Sequence, residues 1–272
     1  MPLSSLASWT RRSALALALT GGASLAHAAG GAVAVDVELA LAVDVSRSMD
    51  DDEQRLQREG YVEAFRAKTF HDAVKAGAHG RIAVAYMEWA GADDQKIVIP
   101  FTVIDGPQAA LDFAARLEAA PIGRMSRTSI SRAIAAATAM FVENGFSGVR
   151  RVIDISGDGP NNAGPVVTAA REAALRRGFV INGLPLMLKR PNSGRWGEID
   201  DLDIYYEDCV IGGPGAFSIP IRARDEFVEA TRKKLMMEIA MPAPSGVVAA
   251  SAQAPRVDCR IGEMMWRRMW DN

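Results

Sequence analysis

Histidine, a common zinc ligand, is scarce in this chain, which has three histidines among its 272 residues. They do not occur at the spacing of zinc ligands, which argues against a zinc enzyme. A Ser-His-Asp hydrolase would have to recruit His71 or His79, both of which lie in polar helix or loop sequence. The sequence also lacks a G-x-S-x-G elbow and a G-x-x-x-x-G-K-[ST] phosphate loop. These absences give no support to an enzyme of the common hydrolase or nucleotide-binding classes.

An excess of basic residues is missing as well. Lys and Arg number 31 against 33 Asp and Glu, so the formal net charge is −2. Such a balance does not favour nucleic acid or an acidic membrane surface as a partner. Beyond the N-terminal segment no apolar run is long enough to span a membrane, so we expect no membrane span in the mature chain. Hydrophobic residues at 49% and charged residues at 24% are typical of a globular protein.

The first 28 residues have the pattern of a secretory signal peptide. Arg11 and Arg12 precede a short apolar run, and small residues surround the predicted cleavage point after Ala28. We therefore expect an exported protein, periplasmic or secreted. A membrane anchor is the alternative, but the apolar run is short and rich in Gly and Ala. The arginine pair loosely resembles a twin-arginine signal, in which Ala14 fits poorly, so Sec and twin-arginine export both stay open.

The two cysteines are Cys209 and Cys259. An even number of cysteines in an exported protein favours a disulfide, which here would tie the C-terminal tail to the body of the protein. The alternative is two unpaired cysteines that act as small apolar residues.

Strand-like and helix-like segments alternate along residues 33–240, which predicts one doubly wound α/β domain with a mostly parallel sheet and helices on both faces. The segment after the second strand is close enough in sequence to be its antiparallel neighbour at the sheet edge. For residues 241–272 the sequence predicts a linker, rich in Pro, Ala and Ser, followed by a C-terminal tail. Predicted strands lie at 37–43, 81–90, 95–101, 151–156, 179–186 and 216–221, and predicted helices at 51–77, 107–119, 129–143, 166–177, 199–209 and 224–239.

Five oxygen-bearing side chains fall at predicted strand ends or helix starts. Asp44, Ser46 and Ser48 follow the first strand, Thr128 precedes an Ala-rich helix, and Asp158 follows the strand at 151–156. In an open α/β sheet, ligands bind beyond the carboxyl ends of the strands. Carboxylates and hydroxyls are hard donors that suit Mg²⁺, or Mn²⁺, and two carboxylates balance a divalent charge. The set therefore predicts a cation site that can accept one more carboxylate from another molecule.

The stretches "DVSRSM" and "VIDISGDG", with a threonine ahead of a helix between them, resemble the metal-ion-dependent adhesion site (MIDAS) of von Willebrand factor type A domains. The resemblance spans most of the mature chain. It is strongest to an exported bacterial subgroup without an assigned function, which carries phrases such as "VIDISGDGPNN" and "DCVIGGPGAF". It implies that Ser46, Ser48 and Thr128 bind the ion directly or nearly so, and that Asp44 and Asp158 bind it directly or through water.

Two residues depart from the pattern of that family. Arg47 stands where a small residue is usual between the serines, and it either narrows the site or recruits an acidic ligand. Gly157 stands where a threonine is usual before Asp158. Asn161 and Asn162, a few residues on, are interpreted either as part of the rim of the metal site or as loop caps.

Each motif also has a simpler interpretation. Asp44 or Ser48 would serve as the cap of the following helix, Thr128 as another helix cap, and Asp158 as a turn residue. The joint pattern favours a binding module that engages an acidic residue of a partner protein through a bound cation, and not an enzyme. The alternatives are a metal-assisted hydrolase, for which no general base is evident, and a structural domain with a vestigial site.

Overall fold

The structure is a computed structural model that describes residues 31–188, 199–240 and 255–270. The predicted signal peptide and most of the predicted linker lie outside the described residues. The secondary structure elements are β1 (Val33–Asp44), α1 (Asp51–Arg66), α2 (Lys68–Ala76), β2 (Ile82–Trp89), β3 (Gln95–Ile104), α3 (Pro107–Ala119), α4 (Ile130–Met140), β4 (Phe146–Gly157), α5 (Val167–Arg176), β5 (Val180–Pro185), α6 (Leu202–Tyr205), α7 (Phe227–Ala240) and α8 (Ile261–Trp270).

The described strands form one five-stranded sheet in the order β3-β2-β1-β4-β5. Strand β1 lies at its centre and pairs in parallel with β2 and β4, and β5 pairs in parallel with β4. Strand β3 is antiparallel to β2 at one edge. The predicted fold class is therefore confirmed: a mostly parallel, doubly wound sheet with one antiparallel edge strand.

Both faces of the sheet are covered, because alternate residues of β1 enter two separate cores. Leu39 and Leu41 pack in the core that also contains residues of α1, α2, α3 and α7. Ala40 and Ala42 face the other core, with residues of α4 and α5. The alternation follows from the two-residue period of a strand. Burial on both faces explains why β1 is a nearly continuous apolar run.

One long predicted helix is divided in two in the structure. The predicted helix at 51–77 is interrupted at Ala67, whose backbone is extended at φ −68° and ψ 131°. His71 Nε2 lies 2.8 Å from the Phe65 carbonyl oxygen, which offsets the interrupted helical hydrogen bonding. The helical hydrophobic period continues across this break, so the pattern could not reveal it.

The predicted strand at 216–221 forms only isolated bridges, at Ser218 with Gly183 and at Ile221 with Leu186. The backbone of Gly183 forms hydrogen bonds with this segment, and the Pro185 carbonyl oxygen accepts one from Ile221 N at 3.0 Å. Pro185 has no N–H, so the ladder lacks the bond between these two bridges. The missing bond at Pro185 therefore accounts for isolated bridges in place of a continuous strand.

A disulfide joins Cys209 to Cys259, with Cα atoms 5.5 Å apart. Cys209 lies in a π-helical turn, Tyr206–Val210, and Cys259 lies just before α8. Beside the disulfide, Arg256 pairs with Asp208 at 2.7 Å. The tail is thus held to the body of the domain, as the cysteine count predicted. None of the helices in the described ranges is long and apolar enough to cross a membrane.

Replacing both Cys209 and Cys259 with serine is expected to lower the free energy of unfolding by about 2–4 kcal/mol, because the bond closes a long loop in the unfolded chain. The sequence separation of the two cysteines is 50 residues. Urea unfolding of the oxidised wild type and of the double variant measures the difference. Reduced wild-type protein is the control and should match the variant. Equal stability of the oxidised and reduced wild type would contradict the prediction.

Candidate metal centre

The candidate site lies at the carboxyl ends of β1 and β4, which are neighbours in the middle of the sheet. Asp44 is the last residue of β1, and Asp158 directly follows the last residue of β4. The register pairs Val43 with Ser156, so the two strands end level with each other. This pairing brings together two carboxylates that are far apart in sequence.

The loop between β1 and α1 does not use Asp44 or Ser48 as its helix cap. Asp50 caps α1: its Oδ1 accepts a hydrogen bond from Glu53 N at 2.8 Å, and the Glu53 side chain accepts one from Asp50 N at 2.9 Å. This reciprocal pair is a capping box. The simpler interpretation of Asp44 and Ser48 therefore does not describe this loop, and both side chains are turned to other partners.

The oxygen atoms of the loop contact one another and Asp158. Ser46 Oγ and Ser48 Oγ are 2.8 Å apart, and Ser48 Oγ donates to Asp158 Oδ1 at 2.7 Å. Asp44 Oδ1 accepts a hydrogen bond from Ser46 N at 2.7 Å. Four of the five predicted ligands thus form one connected group.

Asp44 is fully buried at 0% exposure, and its Oδ2 has no hydrogen-bond partner among the described residues. Burial, and then the nearby charge of Asp158, raise the pKa of Asp44 well above its ordinary value, against hydrogen bonds from the backbone that lower it. A buried carboxylate with an unsatisfied oxygen is costly unless a cation neutralises it. The residues present therefore fit a hard divalent cation.

The fifth predicted ligand, Thr128, comes to the same place through its loop. Met125 N donates to Val45 O at 3.1 Å, and Met125 forms a bridge with Ser46. Thr128 is 4% exposed and lines the same cleft as Ser46 and Ser48. It is not the cap of α4, because that position belongs to Ser129, which makes no side-chain capping bond.

Asn162 and Asn161 have different positions. Asn162 lines the cleft and holds the Thr128 loop, since its Oδ1 accepts from Thr128 N at 2.9 Å and its own N donates to Thr128 O at 2.8 Å. Asn161 lies beneath the surface at 0% exposure. Its Oδ1 accepts from Ser131 N at 3.0 Å, and its Nδ2 donates to Pro165 O at 3.1 Å. The loop-capping interpretation fits Asn161, and both interpretations fit Asn162.

The cleft above these residues has a volume of about 420 Å³. The predicted rim residue Arg47 lines it together with Trp266, and so do Arg124 and Arg127, which the sequence analysis did not single out. The two arginines belong to "GRMSRT", directly before Thr128, and their proximity to a predicted ligand was the available signal. Trp266 lies on α8, and no local pattern links the tail to this cleft.

Gly157, the second departure from the family pattern, leaves room that other groups occupy. A Cβ atom at this position would lie 2.9 Å from Asp44 Oδ2 and 3.1 Å from the Tyr206 hydroxyl oxygen. Burial, followed by the charges of Asp44 and Asp158, raises the pKa of Tyr206 well above its ordinary value. Its hydroxyl therefore stays protonated, and it is oriented toward Gly157 O at 3.4 Å. The Tyr206 hydroxyl therefore occupies the space beside Gly157 that a larger side chain at this position would need.

Replacing Gly157 with threonine is expected to weaken binding of Mg²⁺ at the predicted site at least about 10-fold, because the new side chain would displace the Asp44 carboxylate. Magnesium titration followed by thermal unfolding measures the affinity. Gly106→Thr is the matched control, since a Cβ atom at Gly106 meets nothing within 4 Å. Wild-type affinity in Gly157→Thr would contradict the prediction.

Among the described residues there is no group of three or more His, Cys, Asp and Glu that could hold a metal. The site proposed here differs in composition, because its two carboxylates are supplemented by three hydroxyls. Such a set of side chains is typical of a binding site for an ion that keeps some of its water ligands.

Comparison with known proteins agrees with this architecture. The model of a family described as "Protein of unknown function (DUF1194)" matches residues 34–243. No curated protein matches the chain.

Three solved structures are similar in fold. A structure of proximal thread matrix protein 1 from the mussel byssus, with a zinc-occupied MIDAS motif, has a TM-score of 0.54 at 13% identity, over 75% of this chain and 46% of that one. The pilus adhesin SpaC from Lactobacillus rhamnosus GG has a TM-score of 0.57 at 10% identity, over 77% and 32%. A von Willebrand factor type A protein from Catenulispora acidiphila has a TM-score of 0.51 at 15% identity, over 76% and 43%. The chain thus spans less than half the length of each.

Proposed function

Because this chain belongs to the DUF1194 family and has the von Willebrand factor A fold, we propose that it is an exported protein-binding module that depends on a divalent cation. Its ligand is an acidic residue of a partner protein. The cation is Mg²⁺, or Mn²⁺ in its place.

The observation that carries this proposal is the buried Asp44 carboxylate with its unsatisfied Oδ2, next to a chain of hydroxyl and carboxylate oxygens. The hydroxyls of Ser46, Ser48 and Thr128 and the carboxylates of Asp44 and Asp158 would hold the ion, whose remaining coordination position would take a carboxylate oxygen of the partner. The zinc-occupied MIDAS motif of the mussel protein and the adhesin role of the SpaC protein support a site of this kind by analogy of fold.

Binding is favoured over hydrolysis because neither histidine of the described residues lies at the site. His71 contacts the Phe65 carbonyl at the end of α1. His79 N donates to Asp36 near the start of β1, at the opposite end of that strand from Asp44. A metal-assisted hydrolase needs a general base within reach of the reacting water.

Capture of a partner from an envelope fraction tests the proposal. The immobilised exported protein is expected to retain a partner in Mg²⁺, to release it in a chelator, and to lose it when Asp158 is replaced by alanine. Asp105→Asn is the control, because Asp105 is exposed and follows the end of β3, which pairs with the start of β2, away from the carboxyl ends of β1 and β4. Equal retention in Mg²⁺ and in chelator would reject the proposal. Metal-dependent turnover of a phosphate or carboxylic ester, abolished by Asp158→Ala, would favour the hydrolase instead.

A further inference from the structure

We propose that the cleft beside the metal centre binds a second carboxylate of the same partner, so that the ligand is a peptide segment with two acidic residues close together. This inference rests on the proposed function and names the chemistry of the partner. The first carboxylate would complete the coordination of the ion, and the second would pair with the arginines of the cleft.

The cleft has an excess of positive charge. Three of its lining residues are arginines and one is an acid, Asp50. The Asp50 carboxylate already forms an ion pair, at 3.0 Å, with Arg224, which lies outside the cleft. Arg124 pairs with Asp51, whereas Arg47 and Arg127 have no ion pair with any described residue. At least two guanidinium groups therefore face solvent without a carboxylate, next to a site that itself attracts carboxylates.

Arg127 is held in position for this role. Its backbone is in the left-handed region at φ 73°, which is uncommon for a residue with a side chain. Its guanidinium carbon lies 4.2 Å from the centre of the Trp266 ring. Stacking on the indole restricts the guanidinium plane while its edge N–H groups stay available for a bidentate contact with a carboxylate. Backbone strain of this kind is concentrated at functional sites.

The indole comes from the tail, which is fitted closely against the Asp158 loop. A Cβ atom at Gly262 would lie 2.2 Å from the Asn161 carbonyl oxygen, so the start of α8 packs directly on that loop. Glu263 Oε1 accepts a hydrogen bond from Asn161 Nδ2 at 2.8 Å, and the disulfide holds the segment before α8. The tail therefore completes one wall of the cleft.

An extended peptide suits this cleft better than a small dicarboxylate. The arginines are exposed, so a carboxylate carried on a peptide chain can reach them from solvent. A carboxylate on the arginine pair and another on the metal centre would each be charge-assisted contacts.

Calorimetric titration with two blocked peptides tests the inference: Gly-Asp-Gly-Asp-Gly and Gly-Asp-Gly-Asn-Gly, each in saturating Mg²⁺. In wild type we expect the peptide with two aspartates to bind at least about 10-fold more tightly, which corresponds to about 1.4 kcal/mol. In the double variant Arg47→Gln with Arg127→Gln, this ratio should fall to within about 2-fold, because the second carboxylate loses its partners. The affinity for Mg²⁺ alone should not fall, because the substitutions remove positive charge near the ion, and saturating Mg²⁺ keeps any change in ion affinity out of the ratio.

Two variants and one small molecule sharpen the test. Trp266→Ala should lower the ratio partway, since Arg127 would lose its stacking partner. Arg116→Gln, an exposed arginine on α3, should leave it at the wild-type value. Succinate should bind more weakly than the two-aspartate peptide. Equal or tighter binding of succinate would overturn the assignment to a peptide.

The remaining outcomes separate this inference from the proposed function. If both peptides bind wild type equally and only in Mg²⁺, the second contact is wrong while the proposed function stands. If the double variant keeps the wild-type ratio, the arginines are not the contact and the inference fails. If neither peptide binds, the inference also fails, and the capture experiment judges the proposed function on its own.

Discussion

Asp44→Asn is expected to lose the stabilisation by Mg²⁺ that the proposed function predicts for the wild-type protein. An ion at 100 times its dissociation constant stabilises a folded protein by about 2.7 kcal/mol. The variant should bind at least about 100-fold more weakly and show almost none of this gain, because a neutral amide replaces one of the two charges that balance the ion. Thermal unfolding across a magnesium titration measures the effect.

The same substitution should leave the metal-free protein folded. Asparagine keeps an oxygen to accept the hydrogen bond from Ser46 N, and it removes a buried charge whose cost is visible in the raised pKa of Asp44. In chelator we therefore expect the stability of Asp44→Asn to equal or exceed that of wild type. Asp105→Asn is the control and should retain the full magnesium effect. Saturable stabilisation of Asp44→Asn by Mg²⁺ would show that this carboxylate does not hold the ion.

Lys234→Met is expected to lower the free energy of unfolding by about 3–5 kcal/mol, the usual cost of removing one partner from a buried ion pair. Lys234 is 1% exposed, and its Nζ lies 2.6 Å from Asp154 Oδ1 and 2.5 Å from Glu238 Oε1. Without the ammonium group, the two buried carboxyl groups have no cation between them. Urea unfolding at neutral pH measures the loss.

The adjacent lysine is a matched control. Lys233 is exposed on the same helix, and Lys233→Met should change stability by less than about 0.5 kcal/mol. The loss in Lys234→Met should also shrink in mild acid, because the stranded carboxyl groups can then take up protons. Equal stability of the two variants would contradict a structural role for the buried lysine.

The same cluster predicts a pH dependence of stability. Burial first, and then the charge of Asp154, raise the pKa of Glu238 to about 7, against the opposing effect of Lys234. Between its ordinary value of 4.5 and this raised value, the folded protein holds a proton that the unfolded chain releases. The contribution of Glu238 to the free energy of unfolding is therefore fully present below the ordinary pKa of 4.5. It falls as the pH rises through about 7, by roughly 1–3 kcal/mol.

Glu238→Gln should flatten this decline. Unfolding free energies of wild type and variant, measured from pH 4.5 to 8, give the two slopes directly. Identical slopes would mean that another group holds the proton.

The sequence alone was sufficient for the fold class and for the succession of most strands and helices along the chain. Buried parallel strands need apolar residues on both faces, and such runs can be recognised without knowing their neighbours. The group of Asp44, Ser46 and Ser48 was also visible, because these residues lie within one short loop. The prediction that Thr128 and Asp158 lie near this group followed from the rule that ligands bind beyond the carboxyl ends of the strands in an α/β sheet.

Tertiary structure decided what depends on neighbours that are distant in sequence. The loss of a strand next to Pro185 and the stacking of Trp266 on Arg127 are such cases. Lys234 looked like any other charge on an amphipathic helix until the packing of α7 buried it against Asp154. Sequence periodicity records which face of an element is apolar, but a contact between two elements depends on how their faces meet, and only the packed chain determines that.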